Sequence, residues 1–398
     1  MANKTDFKTV SNSGEELEQI EEQVKKHRRK TFGRVTSTIL LLVIALIGIQ
    51  LWTALRSYSS YEVVNLAERH DSGTTKYASF LGRRVEYSND GIVYYRDEDT
   101  PAWNQSFEMT SPEIDVCGSY LVVYDAGGTS IYIMAETGLS KKIETSMPLS
   151  RVRIAGQGTI AVLMKEGGVS YVRLYDRKGK GLTNGEFFHQ NGTFPIDIAL
   201  SADAQKLAVC MLDVNGGNVC SVISFYNFGS VGQNEIDNNV GTYRYEDVLI
   251  PEIDYVSAER MVAFSNDGAI VFEGAQKPAP KRTIQYKAEV ESVFHSNKYV
   301  GITYSNPDTE GSWHIKVYDM NGSVVMENDT EIAYTRIEFL DNNEICVRNL
   351  HQCELFTIHS IRKFSYTFDE ELYKILSGKN SQNYTFVLDG TTEEVRLK

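Results

Sequence analysis

The sequence predicts an all-β chain folded as a β-propeller of eight blades, with seven as the alternative, preceded by one transmembrane α-helix. Three observations predict this. The phrase Ser-Asn-Asp-Gly occurs at Ser88–Gly91 and again at Ser265–Gly268, each time between two runs of apolar and aromatic residues. The surroundings of the two copies, YASFLGRRVEYSNDGIVYYRDE and IDYVSAERMVAFSNDGAIVFEG, overlay almost without gaps. One uncharged run, VTSTILLLVIALIGIQLWTAL, stands ahead of both between Arg34 and Arg56.

Residues 1–34 come first. Within them SGEELEQIEEQVKKHRRK places its acidic residues before its basic ones, an order that suits a helix macrodipole. Leu17, Ile20 and Val24 lie at helical spacing and form a narrow apolar stripe. The run Val35–Leu55 then has about the length needed to cross a hydrocarbon core as a helix. A cleaved signal peptide would have a shorter apolar region, about 7–15 residues, and a small-residue cleavage site, which RSYSSYE does not offer. Lys25, Lys26, Arg28, Arg29, Lys30 and Arg34 crowd the N-terminal flank, while Arg56 is followed by Glu62, Glu68 and Asp71. The positive-inside bias keeps residues 1–34 in the cytoplasm and exports everything after residue 56. Trp52, Tyr58 and Tyr61 suit the outer membrane interface.

Residues 56–73 form a juxtamembrane segment in which SYEVVNL alternates polar and apolar residues. From residue 74 to residue 398 the strand–turn–strand phrase of the SNDG copies recurs with other turns. It reads IDVCGSYLVVYDAGGTSIYIMAE, VRIAGQGTIAVLMKEGGVSYVRLYD, then IDIALSADAQKLAVCMLDVNGGNVCSVISFYN. After the second SNDG copy come ESVFHSNKYVGITYSNPDTEGSWHIKVYD, RIEFLDNNEICVRNLHQCELFTIHS and YKILSGKNSQNYTFVLDGTTEEVRLK. The period is about forty residues, which belongs to propeller blades of four strands. Each copy supplies an inner strand a, then b, a hairpin and c. An outer strand d follows, as in PAWNQSFEM, LSKKIET and RKFSYTF. The last copy ends at Lys398 without a d strand, so residues 59–66 are expected to close the ring and remove its open edge. Asp and Gly at the SNDG turns are expected to accept the positive φ of tight hairpin loops. The fourth copy is irregular, with the long FGSVGQNEIDNNVGTYRYEDVLI before the fifth.

A cytoplasmic stub, one span and an exported propeller resemble an uncharacterised family of membrane-anchored propellers from Gram-positive-type bacteria, over roughly residues 30 to 398. The strands also resemble quinoprotein-like and outer-membrane-assembly propellers, DEDTPAWNQSFEM being the clearest match. Those families repeat the tryptophan in most blades, whereas this chain has only Trp103 in such a place. The resemblance implies a fold and carries no function; Trp103 reads as packing between blades.

Tests for chemistry return little. Cys346 and Cys353 flank a turn which, with two residues at Asn349–Leu350, would put them directly opposite one another; Cys210 and Cys220 flank DVNGGN. In an oxidising compartment these pairs are candidate cross-strand disulfides; the alternative is four small core residues, as Cys117 also reads. The histidines show no ligand spacing and no CxxC exists, so no zinc site is expected. RDEDT at 96–100 lacks the oxygen-ligand spacing of a calcium loop. The SNDG glycine comes one position early for the Asp box of sialidase-like propellers. No nucleophile elbow or phosphate loop appears, so no catalytic, cofactor or metal residue is assigned. Trp313, at the end of a long b–c loop, is a candidate binding-loop residue. A net charge of -13 does not suit nucleic acid, whose phosphates need a basic face. The expectation is a non-enzymatic binding or scaffold module anchored in the cell membrane, whose partner is a protein, a peptide or an envelope polymer. The alternatives are an exported enzyme, quinone-dependent or carbohydrate-active, and a sensor coupled to the cytoplasmic helix.

Overall fold

The computed structural model describes residues 14–54, 56–69, 75–97, 100–189, 192–286 and 288–398. The chain forms two compact units, Met1–Arg56 and Ser57–Lys398.

The described residues of the first unit form the helix α1, Gly14–Ala54. Its polar part carries the i,i+4 pair Glu22–Lys26 at 4.0 Å. Thr36 and Thr38 turn their hydroxyls back onto the carbonyls of Phe32 and Arg34, both at 2.9 Å, so neither leaves an unsatisfied donor on the helix surface. Ile39, Leu40, Leu41, Leu42, Val43 and Ile44 are all exposed. Among the described residues no helix is long and apolar enough to cross a membrane. The expected span Val35–Leu55 runs into residues outside that description.

The second unit is an eight-bladed β-propeller: its described residues form 32 strands in eight antiparallel four-stranded sheets. Seven sheets take their strands in chain order, and the inner strands run Lys76–Phe80, Pro112–Cys117, Leu149–Ile154, Thr193–Leu200, Glu252–Ser257, Ser292–His295, Arg336–Phe339 and Leu372–Ser377. The eighth sheet joins the two ends of the propeller. Its outer strand is β1, Tyr61–Glu68, antiparallel to Thr391–Leu397 from Tyr61 opposite Leu397 to Glu68 opposite Thr391. Around the join, Lys398 N–H donates to Ser60 O (2.8 Å) and Tyr58 N–H to Lys363 O (2.7 Å). The Tyr61 ring packs edge-on against Tyr366 and Phe386, with centroids 5.0 and 5.1 Å away.

Sheets with two apolar faces must be covered on both, and here each blade covers the next. Apolar clusters fill the interfaces of blades 1–2 (around Phe80 and Met134), 2–3 (Ile133, Val152), 3–4 (Leu163, Val209) and 4–5 (Phe225, Phe272). Others fill the interfaces of blades 5–6 (Val271, Ile302), 6–7 (Ile315, Val347) and 7–8 (Phe364, Phe386). Between blades 8 and 1 no such cluster occurs among the described residues.

The SNDG glycines act differently from the expectation. Neither Gly91 nor Gly268 has positive φ. Each is needed for space, because a Cβ would lie 2.8 Å from Gln105 O at Gly91 and 2.6 Å from Ile284 O at Gly268, both on strand d of the same blade. The turn also holds that strand: Phe107 N–H donates to Asp90 O and Tyr286 N–H to Asp267 O, both at 3.0 Å. The fourth blade's long c–d connection makes two short 3₁₀ turns, Gly232–Asn234 and Ile236–Asn238, before strand d, Asn239–Glu246.

Candidate functional site

The inner strands carry most of the propeller's convergent charge. An Ile-Asp dipeptide recurs on those of blades 2, 4 and 5, ending at Asp115, Asp197 and Asp254, and blade 3 supplies Arg151 and Arg153. Period-2 geometry turns alternate side chains of an inner strand toward the axis or into the blade interface. The charged ones meet across blades. Arg151 Nε donates to Asp197 Oδ1 at 3.1 Å and its Nη1 lies 3.8 Å from Glu113 Oε2. Arg153 reaches Asp115 at 3.5 Å and Asp197 at 3.8 Å, and its Nε donates to Ile198 O at 3.2 Å. Two carboxylates also bind backbone of the next blade along: Asp115 accepts from Ile154 N–H (2.7 Å) and Asp197 from Ile253 N–H (2.9 Å). These bonds stitch blade 2 to 3 and blade 4 to 5 at the hub.

Burial decides the electrostatics. Asp197 is fully buried, and desolvation pushes its carboxyl upward in spite of the opposing pull of Arg153 and Arg151. Asp254 is likewise raised by desolvation, against Arg153 and His295. Burial works against the charge of Arg153, yet the carboxylates of Asp254, Asp115, Asp197 and Glu252 together hold its guanidinium well above its ordinary value. Asp254 Oδ2 lies 3.8 Å from His295 Nε2 on blade 6, and the His295 ring stacks on Phe264 with centroids 4.8 Å apart. On the other side of the ring Glu338 of blade 7 takes Lys374 of blade 8 at 2.6 Å and Arg348 at 3.8 Å. The site is therefore an arc rich in carboxylates over blades 2 to 5 facing a shorter basic arc over blades 7 and 8. Such an arrangement can hold a charged guest in a fixed orientation. Among the described residues no group of His, Cys, Asp and Glu has metal-ligand geometry.

None of these hub residues was singled out from the sequence, although the Ile-Asp recurring on three inner strands was a signal that could have found Asp115, Asp197 and Asp254. The residues that were singled out lie elsewhere. Trp313 begins strand c of blade 6, half-buried, with its indole N–H donating to Glu291 Oε2 at 2.6 Å and its ring edge-on to Tyr334, centroids 5.6 Å apart. Tyr334 is held in turn by Thr303 (2.6 Å) and Ser292 (3.0 Å), so Trp313 fastens blade 6 to the start of blade 7. Trp103 donates to Glu136 O at 3.0 Å and covers Gly138, packing blade 1 on blade 2.

All five cysteines are free thiols. The strand register explains why neither expected pair meets directly. Asn349 accepts from His351 N–H and Gln352 N–H, and its own N–H donates to Gln352 O at 3.0 Å, so the two-residue loop is Leu350–His351, one position later than the expected Asn349–Leu350. Cys346 then faces Leu355 and Cys353 faces Arg348, which leaves the two sulfurs diagonal on one face. Cys210 faces Ile223 and Cys220 faces Asp213, three rungs apart and so on opposite faces of the sheet. Desolvation pushes the Cys346 thiol up to about 12 and the Cys117 thiol up to about 11. In RDEDT, Asp97 Oδ1 accepts from Thr100 N–H at 2.8 Å; Glu98 and Asp99 lie outside the described residues.

A family model described as a family of unknown function, DUF5711, matches residues 54–397. No curated protein matches the sequence. Among solved structures the fold is similar to BamB from Moraxella catarrhalis, at 14% identity and a TM-score of 0.49, covering 85% of this chain and 100% of that one. It is also similar to the WD40 domain of Pan2 from Neurospora crassa, at 12% identity and a TM-score of 0.43, covering 72% of this chain and 88% of that one.

Proposed function

The chain belongs to the DUF5711 family, whose function is unknown, and we propose that it is a membrane-anchored, extracytoplasmic binding module that holds a polypeptide partner at the hub of its propeller. The observation that carries this reading is the arc of Glu113, Asp115, Asp197, Glu252 and Asp254, set against two guanidiniums. Two of its carboxylates are committed to fixed partners, Asp197 to Arg151 and Ile253 N–H, and Asp115 to Ile154 N–H. Preorganised charge of this kind favours recognition, because little ordering is left to be done on binding. The excess of carboxylates selects a partner that presents Lys or Arg side chains. Anchoring is supported by the uncharged run Val35–Leu55, by the basic flank before it and by the exposed aliphatic row Ile39–Ile44 on α1.

The test is crosslinking of the full chain in intact cells, with the wild type beside an Asp115→Asn/Asp254→Asn variant. Capture of one defined polypeptide by the wild type, reduced at least tenfold in the variant, is the expected result. Equal capture by both would move the site away from the hub.

The Asp254–His295 pair favours a second reading, an exported enzyme using that imidazole as a general base. Turnover of a glycan or an alcohol that disappears in His295→Gln, with no polypeptide captured, would put this reading first.

A further inference from the structure

Seven of the eight blade interfaces are sealed by apolar clusters; among the described residues the eighth, between blades 8 and 1, holds a stacked Tyr77–Tyr373 pair and a group of buried charges. Arg84 on strand b of blade 1 is buried there. Its Nε lies 3.1 Å from Glu86 Oε1, its guanidinium sits 4.0 Å over the Tyr95 ring, and its Nη1 donates across the seam to the buried hydroxyl of Thr392 on blade 8. Tyr95 Oη completes the arrangement by donating to Glu86 Oε2 at 2.9 Å. Burying charge at an interface stabilises less than apolar packing, since desolvation offsets most of the attraction. The closing seam is accordingly the place where the ring has most to gain from a ligand.

A cleft opens beside it. Its volume is about 380 Å³, and it lies between the Gly82 turn and the Arg96 turn of blade 1 on one side and the Ser377–Asn383 loop of blade 8 on the other. Among the described residues Arg83, Arg84, Arg96 and Lys379 line it, against the carboxylates of Asp97 and Glu394. Four cations gathered in one cleft stand out in a chain of net charge -13. Arg83, Arg96 and Lys379 are exposed, whereas Arg84 is buried and held by Glu86, Tyr95 and Thr392 among its contacts. Asn380 and Asn383 add amide donors at the wall.

We propose that this cleft binds a phosphate-bearing anion, which bridges blades 1 and 8 and clamps the ring shut. Guanidinium pairs match the oxygens of a phosphate in a bidentate fork, and a lysine adds a compact charge. The cleft also has room for a substituent on the phosphate, so a free phosphate and a phosphodiester such as a lipid headgroup share the chemistry it requires. The headgroup source rests on the membrane anchoring proposed above; the site itself does not.

The experiment is thermal unfolding of the purified full chain at fixed ionic strength. The chain is titrated with inorganic phosphate in one arm and with glycerophosphoglycerol, a soluble phosphodiester headgroup, in the other. A saturable rise in Tm is expected, because a ligand that binds only the folded state stabilises it by mass action. Tighter binding of the diester assigns the headgroup, and tighter binding of inorganic phosphate assigns the free ion. In an Arg96→Ala/Lys379→Ala variant, affinity should fall at least tenfold while the ligand-free Tm stays within about 2 °C, since both side chains are exposed and surface changes are small. A rise no larger than sodium chloride produces at the same ionic strength would overturn the proposal. So would unchanged affinity in the variant.

Discussion

Asp254 illustrates what single residues contribute at the hub. Desolvation lifts its folded-state pKa above the unfolded value. A carboxyl raised in this way contributes its stability below the unfolded pKa and loses it as the pH rises through the folded one. At neutral pH its charge is therefore held at a cost, in spite of Arg153 and His295 nearby. Asp254→Asn removes that charge and keeps the shape. Its Tm should exceed that of the wild type by about 1–2 °C at pH 7, and the difference should vanish below the ordinary Asp pKa of about 3.9, where the carboxyl is protonated in both the folded and the unfolded chain. Thermal melts across that range check the sign. A variant less stable than wild type at pH 7 would mean that the pull of Arg153 outweighs burial. The residue scale is where the sequence was least legible. Ile-Asp is an ordinary strand dipeptide, and only the closed ring brings Asp115, Asp197 and Asp254 around Arg153.

The b–c hairpins are the elements most legible in the sequence, because turn chemistry and strand alternation are local properties. The SNDG copies mark equivalent turns in blades 1 and 5. Their reason is tertiary all the same: the glycine leaves space for a carbonyl of strand d, Gln105 O in one blade and Ile284 O in the other. Gly91→Ala and Gly268→Ala should each destabilise the propeller by about 1–3 kcal/mol, the usual effect of overpacking. The double variant should be close to additive, since opposite blades share no partner. Urea denaturation of the three variants measures both points; no loss in either single variant would refute the close-approach explanation. The cysteine hairpins show the limit of local reading. Whether Cys346 meets Cys353 depends on where the two-residue loop sits, at Leu350–His351 with Asn349 and Gln352 closing it, and nothing in the spacing announces that one-residue shift.

At the scale of the whole molecule the decisive contact joins the two ends of the propeller. Deleting Tyr61–Glu68 would strip strand d from blade 8, expose the edge of Thr391–Leu397 and withdraw Tyr61 from among Phe364, Tyr366 and Phe386. The Tm should fall by on the order of 10 °C, with aggregation through the open edge. A melt followed by light scattering tests both, and an unchanged Tm would show that the ring holds without its outermost strand. By itself the sequence determined the repeated four-strand unit, pointed to eight such units with seven as the alternative, and showed no outer strand in the last one. Each of these is written in alternation and turns within a few tens of residues. Tertiary structure alone decided which charges meet at the hub, which face each cysteine takes and why the closing seam is polar where the other seven are apolar. Those properties depend on residues far apart in the chain, such as Arg84 and Thr392. Their interaction exists only after ring closure brings blade 1 against blade 8.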